Sequence, residues 1–327
     1  MSVGTMTIST VHAQVVLPVS ELKYDAPVLP PTLWATTAMV TRHLALLPGQ
    51  TLLDKSAEQQ HRPYNINAEL NYQKTAGDFG QLNLGNSNVS AIHFDGDVYA
   101  GYVELSAQRD DLQLGAVGAY EDFDLAGFAQ QRVGVMPYAK WLLPIGPETS
   151  FNFVGTLYYY DNDVTSHLAP RTFAAYRTLG ASVSAALQFD TRYTYKAVTV
   201  MQDSPGWYSY MGSLAVTLQI QSDDAERQVV YQQDVVDEVR DQRLLILAGN
   251  IGARLYERTA MMLVGELGKD MSHYDGTLSA AADHYTRLSW KIARTLSPRW
   301  SVQAGVGKTF GHDVDVTELR VSTSANF

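Results

Sequence analysis

Several histidines in this chain stand beside carboxylates: His93 with Asp95 and Asp97, His273 with Asp275, His284 with Asp283, and His312 with Asp313 and Asp315. Such a pair can poise a base for a water or a serine nucleophile. None of them stands in a nucleophile motif and no serine is singled out, so a hydrolase is kept only as an alternative. Asp161, Asn162 and Asp163 offer oxygen ligands of the kind calcium takes. With no turn glycine and no distal glutamate at a fixed spacing, they read as a solvated loop. The run Asp237, Glu238, Arg240, Asp241 and Arg243 reads as a solvated face. No metal or cofactor is expected.

Composition removes other classes. Cysteine is absent, which excludes a disulfide framework, a thiolate zinc site and a cysteine nucleophile. The balance of 24 basic and 34 acidic residues gives a net charge of -10, with no basic stripe to neutralise phosphates, so nucleic acid is not expected as a partner. No stretch has the roughly 18–20 apolar residues of a transmembrane helix. The mean hydropathy of -0.14 nevertheless suits a membrane barrel, in which only alternate residues meet lipid.

The elements that must position these residues are strands. After residue 63, polar and apolar residues alternate with period two. In 208–222, Tyr208, Tyr210, Leu214, Val216, Leu218 and Ile220 share one face, while Ser209, Ser213, Ala215, Thr217, Gln219 and Gln221 share the other. In 285–294, Leu288, Trp290 and Ile292 alternate with Arg287, Ser289 and Lys291. A cation facing lipid at mid-bilayer costs about 2–4 kcal/mol, so this segregation places charges in a lumen. Lys308 breaks the alternation in 299–311 and must lie near an interface. In the closing strand, Leu319, Val321, Thr323, Ala325 and Phe327 are expected to face lipid, with Phe327 as the barrel-terminal signal.

The fold class is therefore all-β: a transmembrane antiparallel β-barrel over 64–327. Strands are read near 64–74, 95–107, 112–124, 131–143, 150–162, 174–188, 193–202, 208–222, 226–236, 243–257, 259–271, 283–295, 299–311 and 315–327. Both chain ends of a bacterial barrel are periplasmic, so the count is even. Dropping 193–202 and 226–236, with 226–242 as an outer loop, gives 12 strands; keeping both gives 14. Long outer loops are expected around 75–94, 161–173 and 271–283. The 19 tyrosines suit interfacial girdles. A soluble β-sandwich would use the same alternation and is the competing architecture.

Ahead of the strands, residues 1–31 read as an extended segment ending in Pro30 and Pro31. Val11, His12 and Ala13 before Gln14 match a small-residue signal-peptidase site without a basic or apolar region ahead of it, so either the true start lies upstream or the match is fortuitous. Residues 32–63 read as a short helix, carrying Leu33, Met39, Val40, Leu44 and Leu47 and stopped by Pro48 and Gly49, with a linker into the barrel.

A helix over Leu33 to Leu47, a first hairpin of Tyr99 to Leu105 (YAGYVEL) and Leu112 to Tyr120 (LQLGAVGAY), then Pro137 to Trp141 with Phe151 to Tyr160, and a C-terminal aromatic, together resemble the translocator barrel of autotransporters. The resemblance covers about residues 32–327. It implies a non-enzymatic outer-membrane barrel that carries an attached passenger, with membrane lipid, the assembly machinery and a passenger or cell-surface ligand as partners. The sequence departs from that pattern in having only about 30 residues before the helix and no β-helical passenger repeat. A stand-alone selective channel or surface adhesin, and a hydrolase at the outer rim, are the alternatives. On the inward faces, Lys140, Lys196, Arg254, Arg287, Lys291 and Arg320, with Glu69, Glu104, Glu121, Glu266 and Glu318, are expected to pair across a filled lumen or line a narrow channel.

Overall fold

The computed structural model describes residues 64–79, 82–84, 87–89, 92–109, 111–125, 128–146, 148–166, 172–190, 207–230, 233–235, 239–255, 259–271, 284–297, 299–311 and 314–327. The helix expected within 32–63 and the segment 193–202 lie outside them. Among the described residues, twelve long strands form one antiparallel sheet: β1 (Tyr64–Phe79), β2 (Ile92–Arg109), β3 (Leu112–Leu125), β4 (Phe128–Pro144), β5 (Thr149–Ser166), β6 (Thr172–Asp190), β7 (Trp207–Val230), β8 (Val239–Leu255), β9 (Thr259–Asp270), β10 (His284–Thr295), β11 (Trp300–Gly311) and β12 (Val314–Asn326). Each pairs with its neighbours in sequence, and β1 pairs with β12 from Asn67↔Asn326 to Phe79↔Val314. That last ladder closes the barrel, so no edge remains to be hydrogen-bonded by another chain.

Closure also removes the sandwich alternative, because the exterior is apolar. Leu70, Val103, Leu157, Val183, Leu214, Val216 and Leu263 all stand exposed on the outer face. Such a continuous apolar surface belongs in lipid rather than water. β9 to β12 are 12–13 residues long. At about 3.3 Å per residue and a tilt of about 40°, they cross roughly 30 Å, one bilayer core. The chain is an integral outer-membrane barrel.

The alternation in β7 is as the sequence shows it: Tyr210, Leu214, Val216, Leu218 and Ile220 are exposed, while Ser213, Ala215, Thr217 and Gln219 are buried inside. Other features differ from the expectation. Residues 226–242 are not a plain outer loop, since β7 continues to Val230, β8 begins at Val239, and a short strand 233–235 folds back on Gln228 to Val230. Above the membrane a strand needs no apolar face, so its hydrophobic signal fades before the strand ends. For the same reason β1, β2, β5 and β6 run into the supposed loops 75–94 and 161–173. Asp161, Asn162 and Asp163 accordingly lie in a strand. Leu319 and Val321 in β12 and Phe327 just after it are exposed, but Ala325 is only 3 % exposed. It pairs with Ala68 and Trp300, and its methyl is too short to rise above the neighbouring side chains.

The inner wall is packed by rings seated against glycines. A Cβ on Gly180 would lie 2.3 Å from the Tyr158 ring, and one on Gly268 would lie 2.0 Å from Tyr285. Only the absence of a side chain lets these rings lie flat on the neighbouring strand. Between β4 and β5 the pairing skips Met136 and Pro137, as a residue without an N–H requires.

The barrel lumen as candidate functional site

Charged groups on the inner wall are gathered into polar clusters. On β3 and β4, Glu121 and Arg132 are direct cross-strand partners. Arg132 Nε donates to Glu121 Oε2 (2.6 Å), and the Tyr102 hydroxyl donates to Oε1 (2.8 Å). The Arg132 guanidinium also stacks 4.6 Å from the Tyr160 ring centroid and 5.6 Å from that of Phe123. A buried carboxylate is tolerable only with such full compensation.

A second cluster joins β10, β12 and β1 across β11. Arg287 Nε donates to Glu318 Oε1 (2.6 Å), and Gln73 Nε2 donates to Oε2 (2.9 Å). Nearby, Arg320 Nε donates to Asn71 Oδ1 (2.9 Å). Glu104 on β2 accepts from Asn67 Nδ2 (2.8 Å), from the Tyr138 hydroxyl and from Gln113 Nε2 (3.5 Å). Glu266 accepts from the Tyr285 hydroxyl (2.5 Å).

Of the residues singled out from the sequence, Glu104, Glu121, Glu266, Glu318, Arg287 and Arg320 therefore fall into these clusters. Lys140 is buried on β4 opposite Val154 of β5. Lys291 sits in β10 opposite Met262 and Gly305, and Glu69 sits in β1 opposite Tyr102 and Ser324. Arg254 lies in β8 opposite Ala260, with its side chain outside the described residues, as is Lys196 altogether. Arg132, the partner of Glu121, was missed although the alternation of Gln131, Arg132 and Val133 places it inside. The tyrosines are not all girdle residues: Tyr102, Tyr138, Tyr158, Tyr160 and Tyr285 line the lumen. Their parity within each strand carries that signal; their abundance does not. The inner wall is also less polar than alternation alone implies, since Leu244, Ile246 and Ala248 form a buried apolar cluster with Tyr285.

His93 lies in β2 opposite Asp78, and His284 is exposed at the outer end of β10 opposite Lys269. His273, Asp275, Asp283, His312 and Asp313 lie outside the described residues. Among the described residues no group of three His, Asp or Glu could hold a metal. Asp161 accepts from the Tyr159 hydroxyl (2.7 Å) and faces Arg177 (3.6 Å), whereas Asn162 turns inward and donates to Thr178 Oγ1 (3.1 Å). Strand alternation thus splits the supposed calcium ligands. On the outside, the ion pairs Lys74–Asp95 (3.5 Å) and Lys308–Asp315 (2.9 Å) sit toward the outer ends of their strands, where lipid gives way to water.

A closed antiparallel barrel with an apolar exterior and a charge-paired interior is the architecture of outer-membrane translocators and channels. No protein-family model matches the chain, and no curated protein matches its sequence. Among solved structures, the translocator domain of the autotransporter NalP from Neisseria meningitidis aligns with a TM-score of 0.58 at 11% identity, covering 92% of this chain and 100% of that one. The transport unit of AIDA-I from Escherichia coli aligns at 0.48 and 10% identity over 90% of this chain and 98% of that one. The β domain of the Bordetella autotransporter BrkA aligns at 0.46 and 14% identity over 79% and 98%. At 11% identity the likeness to the NalP domain shows the fold alone: the closed, twelve-stranded antiparallel barrel of that translocator domain.

Proposed function

We propose that this barrel is a non-enzymatic translocator that holds the chain upstream of Tyr64 within its lumen and presents it to the cell exterior. The single observation behind this reading is closure at twelve strands in the arrangement of the NalP translocator domain. The amphipathic segment 32–47 supplies a helix whose apolar side suits the inner wall of Leu244, Ile246 and Ala248, with 48–63 as the linker and 1–31 as the extended lead. The paired charges Glu121–Arg132 and Arg287–Glu318 then act as fixed lining. Membrane lipid and the barrel assembly machinery, reading Phe327, complete the set of partners.

An epitope tag inserted before Thr32 tests this. In intact cells producing the barrel, the tag should be reached by antibody and removed by external protease. A tag that is protected until the outer membrane is breached would overturn the reading.

A further inference from the structure

Charges on the outward face of the barrel's outer end are sorted into two sectors. On β2, β3 and β5 the outward positions carry Asp95, Asp97, Asp122, Asp124, Asp161 and Asp163, with Lys74 beside Asp95 (3.5 Å) and Arg177 beside Asp161 (3.6 Å). On β8, β9 and β10 the outward positions at the same end carry Arg243, Lys269 and His284, all exposed. Lys308, on the next strand, is held by Asp315 (2.9 Å) and marks the boundary of this second sector.

Register brings the three together. Lys269 and His284 are direct cross-strand partners, and on its other side Lys269 pairs with Leu245, which places Arg243 at its diagonal. Direct partners stand about 4.5–5.5 Å apart at Cβ and diagonal ones about 7–8 Å. The described neighbours of Lys269 on β8 and β10 are Arg243, Leu245, Leu247, His284 and Thr286, with no carboxylate among them. An ammonium and a guanidinium so placed repel one another, and an anion between them turns that repulsion into attraction. The imidazole adds an N–H donor at the same spot.

The position of the trio decides what kind of anion fits. Lys269 is next to last in β9 and His284 is the first residue of β10, on strands that just cross the bilayer core, so the three groups lie at the headgroup level of the outer leaflet. Towards the membrane centre the same faces turn apolar, with Leu245, Leu267 and Leu288 exposed to lipid. A matching guest therefore carries its negative charge at the surface and an apolar body along the strands. A phosphate suits the donors, since a guanidinium meets two of its oxygens at once and an ammonium binds it as a point charge. We propose that Arg243, Lys269 and His284 hold the phosphate of a phosphorylated glycolipid of the outer leaflet, with its acyl chains along Leu245, Leu267 and Leu288. The acidic sector on β2, β3 and β5 repels the same headgroup, so the lipid is held on one side of the barrel.

The test uses the full chain folded in detergent micelles, with folding of each variant checked by heat-modifiable migration. Bisphosphorylated lipid A is titrated in, and the lipid-bound fraction is read by native mass spectrometry. Lys269→Gln and Arg243→Gln should each weaken binding about fivefold, the effect of one cation at an anionic membrane surface, and the two together about 25-fold. His284→Leu should weaken it by a smaller factor, and Lys269→Arg should keep it. Lys74→Gln and Arg177→Gln remove the same charge from the other sector and should leave binding unchanged. An equal loss from those two would show that net charge alone attracts the lipid, and the site would fall. Binding that survives removal of the lipid's phosphates, or that Lys269→Gln and Arg243→Gln leave intact, overturns the proposal. So does phosphatidylglycerol that binds as tightly as lipid A, or inorganic phosphate that displaces lipid A at equal concentration.

Discussion

Gly307 of β11 lies directly beneath the carboxylate of Glu318: a Cβ at this position would stand 2.4 Å from Oε1 and 3.0 Å from Cγ. The two residues are cross-strand partners, and the missing side chain is what lets Glu318 reach across β11 to Arg287. Gly307→Ala should therefore push the carboxylate off the guanidinium. Removing one partner of a buried pair costs about 3–5 kcal/mol, and displacement should cost a good part of it. Urea unfolding of the detergent-folded barrel measures this. Unchanged stability would mean that Glu318 has another route to Arg287.

The Glu121–Arg132 pair makes a sharper case because Glu121 is 0 % exposed. Arg132→Met alone leaves a buried carboxylate with the Tyr102 hydroxyl as its remaining partner among the described residues, and a loss of about 3–5 kcal/mol is expected. Adding Glu121→Gln to it should recover most of that loss, since the uncompensated charge is gone. A double variant as unstable as the single one would show that packing of the Arg132 stem on Tyr160 and Phe123 dominates instead.

Lipid exposure can be read from two positions of opposite type. Val216 is exposed midway along the apolar outer face, between Ala185 and Leu247. Val216→Arg should cost about 2–4 kcal/mol in a bilayer. Lys308→Leu at the outer rim removes only a solvent-exposed ion pair with Asp315 and should change stability by less than about 1 kcal/mol. Equal effects at the two sites, measured by folding into lipid vesicles, would contradict the placement of the apolar belt.

Period two was enough to find the barrel, because a strand between lipid and lumen must alternate and a one-residue slip would turn every side chain to the wrong face. Leu288, Trp290 and Ile292 against Arg287 and Ser289 show it, and the even count follows from both ends lying on one side. Alternation failed where one of its two solvents was missing. Above the membrane, β7 runs on through Asp223, Asp224 and Glu226 with no apolar face to announce it. Inside, the abundance of tyrosine gives no sign that Tyr158 and Tyr160 face the lumen; their parity and the glycines that receive them do. Pairing was less legible still: Glu121 and Arg132 are eleven residues apart across a hairpin, but Gln73 and Glu318 are joined only by closure of β1 on β12. No local pattern carries that contact.

The ring-on-glycine seats allow a last prediction, at a position outside the charged clusters. The Tyr158 ring occupies the space above Gly180, and its hydroxyl donates to the carbonyl of Ile220 on β7 (3.1 Å), so one side chain links β5 to a strand two places away. Gly180→Ala puts a methyl 2.3 Å from that ring, an overlap that forces the ring or the backbone to move. Overpacking of this kind costs about 1–3 kcal/mol. Tyr158→Phe keeps the ring seated and removes only the hydroxyl, so about 1 kcal/mol is expected from the lost hydrogen bond. Combining Gly180→Ala with Tyr158→Ala removes the overlap, leaving the cavity cost alone, so the pair should fall short of the sum of the single losses. Strict additivity in urea unfolding would mean that the glycine serves the backbone and not the ring.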